Sequence, residues 1–153
     1  MTPLHPKQRA VLRIRFGIAG AALALLLLIA ELVLAEINPL PFGTVLGVGA
    51  LLILVGIWRM PARRYAAWGY RMEEDELAVR HGLLVRALSL VPFGRVQHID
   101  LAQGPLERAF GLATLVLNTA GTRGSAVKLP GLAQSDAEQM RDHIRGKIRQ
   151  DLL

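Results

Sequence analysis

A hydrophobic hairpin, Phe16 to Trp58, constrains this chain more than any other stretch. Its first arm, Phe16–Ala35, is twenty residues long and carries a single charge, Glu31. Its second arm, Phe42–Trp58, is seventeen residues long and carries none. A helix that crosses a bilayer needs about 20 mostly apolar residues, with about 17 at the short end. Both arms meet that length. Between them Pro39 and Pro41 cannot continue a helix, so the chain turns there. The sequence thus divides into a leader (1–15), a two-helix transmembrane hairpin (16–58), a juxtamembrane connector (59–65) and a terminal domain (66–153).

Charge sets the expected orientation. Lys7, Arg9, Arg13 and Arg15 precede the first arm; Arg59, Arg63, Arg64 and Arg71 follow the second. The connecting loop around Asn38 has neither Lys nor Arg. Cationic flanks stay on the cytoplasmic side, which puts both termini in the cytoplasm and the Asn38 loop outside. Val33-Leu34-Ala35 resembles a cleavage site, but an apolar region this long that also carries Glu31 argues against a cleaved signal peptide. The net charge of +6 is gathered at the membrane borders, so anionic lipid explains it better than nucleic acid. Arg59, Arg63 and Arg64 are the expected membrane-surface residues. With no cysteine, the chain has no disulfide, thiolate or cysteine metal chemistry.

Within the hairpin, Gly43 and Gly47 form a GxxxG pattern, and small residues four apart let helix backbones approach in lipid. They are the expected helix-packing pair. Glu31 stands near the end of its arm. Ionisable groups in spanning segments are often functional, but so close to the interface a carboxyl that reaches the headgroups or is protonated is the favoured reading. The leader reads as loose. In the connector, Pro61 is expected to interrupt the helix.

After Ala66 the pattern changes to short strands. Candidates are Trp68–Met72, Leu77–Arg80, Leu83–Val91, Arg95–Gln103, Ala113–Thr119 and Ala126–Leu129. His81-Gly82 reads as a two-residue hairpin turn, and Leu106–Phe110 as a helical turn or a bulge. Ser135 and Glu138 form a capping-box pattern ahead of Ala137, Met140, Ile144 and Ile148, one apolar helix face. About six strands and one terminal helix, in 88 residues, predict a curled antiparallel sheet with the helix over an open end or face.

Two runs carry a family resemblance. One is Val91-Pro92-Phe93-Gly94-Arg95-Val96-Gln97-His98-Ile99. The other is Gln103 to Leu115, containing Gly-Pro-Leu-x-Arg-x-x-Gly-Leu-Ala-Thr, with Thr119-Ala120-Gly121 after it. Together with two preceding membrane helices they resemble the bacterial pleckstrin-homology (PH), membrane-flanked domain family, of the YdbS-like kind. The resemblance implies a PH-like barrel: a bent antiparallel sheet capped by a C-terminal helix. It also implies a small inner-membrane protein without known catalysis, often working beside a larger relative with several such domains. It brings no settled ligand and no cofactor.

The motif residues also have readings of their own. Gly104, Gly111 and Gly121 stand where strands end and the backbone is tight. Pro92 and Pro105 fix turn entries. Arg95, Gln97 and Arg108 form either an internal hydrogen-bond network around Leu106–Leu112 or an exposed binding patch. Networks at strand ends are common, which favours the first.

No signature of an enzyme is present. Gly-x-Ser-x-Gly and His-Glu-x-x-His are missing, and Gly121 to Lys128 lacks the Gly-Lys-Ser/Thr ending of a phosphate loop. His98 and Asp100 share one strand face, but such a pair is more often a solvated surface than a metal or acid–base site. The acidic run Glu73-Glu74-Asp75-Glu76 reads as a charged turn. The expected function is a membrane-anchored interaction module that binds a larger PH-domain membrane protein or a second copy of itself. The alternative is a module that binds anionic lipid headgroups. Neither a nucleic acid nor a small-molecule substrate is expected.

Overall fold

The computed structural model describes residues 1–33, 35, 41, 43–120 and 126–150, the last without its side chain. The turn at Pro39, the loop around Asn38, and the Gly121–Gly124 turn with the motif residue Gly121 lie outside the described residues. The chain forms two compact units: Leu12–Arg63, and Met1–Val11 together with Arg64–Leu153.

The helical unit is built on α1 (Gln8–Val33) and α2 (Thr44–Ala67). At about 1.5 Å per residue, 26 and 24 residues make rods of about 39 and 36 Å, both long enough to cross a bilayer. Ile18, Leu26, Leu51, Leu52, Leu54 and Trp58 are exposed, which suits helices whose solvent is lipid. Both helices outrun the apolar arms. α1 starts at Gln8, because nothing between Pro6 and Phe16 breaks a helix and Gln8 already bonds back to the carbonyl of His5 at 2.9 Å. α2 continues through Pro61 to Ala67, so Pro61 does not interrupt it. A proline removes one intrahelical bond, and the good helix formers on both sides carry the helix past it.

The arms approach where glycine leaves room. A Cβ on Gly20 would stand 2.6 Å from Ile57 Cδ1 and 2.8 Å from Ile53 Cγ2, and one on Gly49 would run into Leu27 Cδ1. Gly43 is not on a helix face at all. It precedes α2, with φ at +89°, a conformation glycine adopts freely. Gly47 is helical, but among the described residues a Cβ there would meet nothing within 4 Å. The GxxxG pair is therefore not the contact between the two arms. Glu31, only 4% exposed, turns inward: its carboxylate accepts the backbone N–H groups of Gly43 and Leu46 and so caps α2.

The second unit contains two three-stranded antiparallel meanders. The first is β1 (Gly69–Met72), β2 (Glu76–His81) and β3 (Ala87–Pro92). A 3-10 turn, Phe93–Arg95, leads to the second: β4 (Val96–Ala102), β5 (Leu112–Thr119) and β6 (Ala126–Ala133). α3 (Pro105–Ala109) joins β4 to β5, and α4 (Gln134–Gln150) closes the chain. This is the PH-like arrangement that the sequence predicts. Leu77, Val79, Val91, Phe93, Leu115, Leu117 and Leu129 form the core, and α4 adds Ala137, Met140 and Ile144.

Local details differ from expectation. The β2–β3 connection is a five-residue loop, Gly82–Arg86, because strand pairing ends at His81↔Ala87. β6 runs on past Leu129 to Ala133. Proline at 130 supplies no ladder N–H, and the register slips opposite Ala113/Leu115. α4 follows β6 without a loop, and among the described residues Ser135 and Glu138 do not form the reciprocal capping box. Ser135 Oγ lies 3.5 Å from Asp136 Oδ1, and Glu138 accepts from Gln134 Nε2 at 3.0 Å.

Candidate functional site

The leader is not loose. It ties the open edge of one sheet to the open edge of the other. Thr2 pairs with Tyr70 on β1 through two backbone bonds of 2.7 and 3.0 Å, and His5 N–H donates to the carbonyl of Gly131 on β6 at 2.8 Å. Leu4, 2% exposed, enters the core, and its carbonyl accepts the Tyr65 hydroxyl. Arg9 lies 4.3 Å above the Tyr65 ring, a cation–π contact. The Gln8 side chain fills the space a Cβ would take on Gly131, whose φ is +70°, and its buried Oε1 has no partner among the described residues. Beside this seam is a cleft of about 260 Å³ whose lining includes Thr2, Tyr65, Tyr70, Leu132 and Asp136. Burial pushes the Tyr70 phenol above its usual range, and the Asp136 carboxylate adds to the shift.

The family-motif residues lie along the second sheet and its connections, and the Gly111 corner adjoins the end of β6. Pro92 ends β3, Arg95 ends the 3-10 turn, and Gln97 sits at a register shift between Val96 and His98. Gly104 precedes α3, Pro105 is its first residue, and Arg108 lies on its last turn. Gly111 needs its glycine, with φ at +67°, and Thr119 ends β5. Arg95, Gln97 and Arg108 are all exposed, so the internal network expected of them is not what holds this corner. Gln103 and Glu107 do that work. Gln103 Nε2 donates to the carbonyl of Leu112 at 2.8 Å. Glu107, 6% exposed, accepts from Gly104 N–H at 2.7 Å and from Thr114 Oγ1 at 3.4 Å. A short helix with a proline at its start needs its first N–H groups satisfied from the side, and Glu107 reaches back to do so.

Arg59, Arg63 and Arg64 are exposed on α2. The acidic turn is held by ion pairs: Arg71 to Glu73 at 2.7 Å, and Lys147 to Glu74 and Asp75 at 3.7 and 3.6 Å. His98 and Asp100 do share a face, 2.9 Å apart, and Asn118 donates to Asp100 at 3.2 Å. All three belong to an open strand surface, and among the described residues no group of three His, Asp or Glu side chains is placed to hold a metal.

Two apolar helices followed by a doubly sheeted, helix-capped domain define a membrane-associated PH-like module. The family described as Bacterial PH domain matches residues 14–148, and the chain belongs to that family. It is 35% identical over 127 residues to the UPF0699 transmembrane protein YdbS of Bacillus subtilis (strain 168), covering 81% of this chain and 78% of that protein. It is 27% identical over 97 residues to the UPF0699 transmembrane protein YdbT of the same organism, covering 61% of this chain and 20% of that protein. No solved structure matches the chain.

Proposed function

We propose that this protein is an inner-membrane anchored interaction module that works as a subunit of a complex, beside a larger PH-domain membrane protein or a second copy of itself. Its two helices cross the membrane, and both termini and the PH-like domain are cytoplasmic. It performs no catalysis. The observation that carries the reading is the open edge of the first sheet. β3 ends that sheet, and its Leu88 and Leu90 are each more than half exposed. An apolar strand at the edge of a sheet, with no further partner strand among the described residues, can accept another chain by strand addition. The similarity to both a short and a much longer transmembrane relative supports the same reading.

Gentle extraction from native membranes, followed by native electrophoresis, tests it. A species larger than the monomer is expected, and a bare monomer would end the proposal. The exposed Arg59, Arg63 and Arg64 favour a second reading, a module held to anionic headgroups; binding through them weakens as salt screens the charges.

A further inference from the structure

The two ends of the first sheet have opposite chemistry. The β1–β2 turn presents Glu73, Glu74 and Asp75. The β2–β3 loop presents Leu83, Leu84 and Val85, of which Leu84 is 96% and Val85 80% exposed. Arg80 and Arg86, both exposed, stand on either side of these three residues. Gly82 fixes the turn into the loop: its φ is +105°, and a Cβ there would strike the Val85 carbonyl.

The register places this loop. Gly69 at the start of β1 pairs with Arg80 near the end of β2, so the loop lies at the end of the sheet where β1 begins. That is where the chain arrives from α2. Trp68 is the single residue between α2 and β1, and its ring lies against His81, centroids 5.4 Å apart, at the base of the loop. The acidic turn is at the far end.

We infer that the β2–β3 loop is a second membrane contact, inserting Leu83, Leu84 and Val85 into the interface of an anionic bilayer. Three consecutive large apolar residues at a turn tip cannot all pack on the core of the same sheet, and such a patch marks an interaction site. A cationic collar around an apolar tip matches the layering of a bilayer, phosphates outside and acyl chains within. The acidic turn, repelled by the same surface, favours the same orientation of the sheet. Because α2 tethers the domain to a membrane, the loop meets a high effective lipid concentration and need not bind tightly alone. The inference holds whether or not the protein is a subunit of a complex.

The chain has no cysteine, so a single one can be labelled cleanly. Full-length Leu84→Cys and Glu74→Cys, each carrying a polarity-sensitive fluorophore, are reconstituted into phosphatidylglycerol/phosphatidylethanolamine vesicles. Nitroxide on the lipid acyl chains should quench position 84 several-fold more than position 74. Its emission should be blue-shifted and shielded from aqueous acrylamide. In a Leu84→Glu background a label at Val85→Cys should lose the lipid quenching. Equal lipid quenching at 84 and 74, or free access of acrylamide to 84, overturns the inference. So does shielding from acrylamide without lipid quenching, which would place a protein surface there instead.

Discussion

The carboxylate of Glu31 accepts the backbone N–H of Leu46 at 3.1 Å, from one arm of the hairpin to the other, and also that of Gly43. The first N–H groups of a helix have no intrahelical partner, and in an apolar setting each one left alone is costly. A polar carboxyl that would be a liability in a spanning segment here completes the fold. Replacing Glu31 with Leu should destabilise the hairpin by about 1–3 kcal/mol for each donor orphaned. Glu31→Gln, which keeps one acceptor, should cost less. Thermal denaturation of the detergent-solubilised protein should rank them wild type, Gln, Leu; a Leu variant as stable as wild type would show that the cap contributes nothing.

Glycines in the hairpin should respond according to what faces them. Gly20→Leu and Gly49→Leu force side chains into Ile53, Ile57 and Leu27, and should separate the arms. Gly47→Leu meets open space and should leave the single chain intact. If Gly47 packs against a partner's helix, that substitution should still break a complex seen by native electrophoresis. Gly43→Leu is a different experiment, since a positive φ costs an L-residue about 1–2 kcal/mol locally. Crosslinking between cysteines placed on the two arms reads the first effect; persistence of the crosslink in Gly20→Leu would contradict the close approach.

These glycines also mark how far the sequence could be read. Apolar length and cationic flanks announce the hairpin, because lipid demands a long uninterrupted helix. Short runs between turn residues announce the strands, and the spacing of Ala137, Met140 and Ile144 announces the covering face of α4. Which glycine packs is invisible in GxxxG spacing, since it depends on what the facing helix offers. The same holds at the α3 corner. Glu107 and Gln103 lie within the motif, but their roles depend on Leu112 and Thr114 arriving alongside. The seam was hidden because Leu4, an apolar residue in a polar leader, is a weak local signal. Only the pairing of Thr2 with Tyr70 and of His5 with Gly131 gives it meaning.

The leader should therefore contribute to domain stability. Leu4→Ala empties a buried site and should cost about 2–5 kcal/mol. Tyr65→Phe removes the hydroxyl donor to the Leu4 carbonyl and should cost about 0.5–1.5 kcal/mol. Gly131→Ala should be worse than an ordinary glycine substitution, since the new methyl meets Gln8 Cγ at 2.7 Å with φ at +70°. Limited proteolysis provides the reading: cleavage within the first seven residues should be slow in wild type and fast in Leu4→Ala. Equal cleavage would mean the seam is not closed in solution.

Alkaline pH should loosen the same seam. The Tyr70 phenol is raised above its ordinary value of about 10, first by burial and then by Asp136. The folded state thus holds this proton more tightly than the unfolded chain. The resulting stability is present below pH about 10 and is lost as pH rises through the folded value. Tyr70→Phe cannot ionise and should flatten this part of the profile. Asp136→Asn should reduce the slope less, because burial is the larger cause. Denaturation midpoints between pH 8 and 11 decide it, and an unchanged slope in Tyr70→Phe would assign the alkaline loss to other groups.

Topology is the remaining expectation, and it rests on charge. Four cationic residues precede the apolar part of α1 and Arg59, Arg63 and Arg64 lie towards the end of α2, while the loop between the arms has none. Moving cationic loops across a membrane is opposed during insertion, so both flanks should stay in the cytoplasm. A periplasm-active reporter should work when inserted at Asn38 and fail when fused after Leu153; a cytoplasm-active reporter should do the reverse. Replacing Lys7, Arg9, Arg13 and Arg15 with neutral residues should weaken the preference without abolishing it, because the arginines after the second arm remain. Adding three lysines beside Asn38 to that variant removes the asymmetry and should give mixed orientations. A C-terminal reporter active only outside the cytoplasm in the unaltered protein would invert the topology and place the PH-like domain outside the cell.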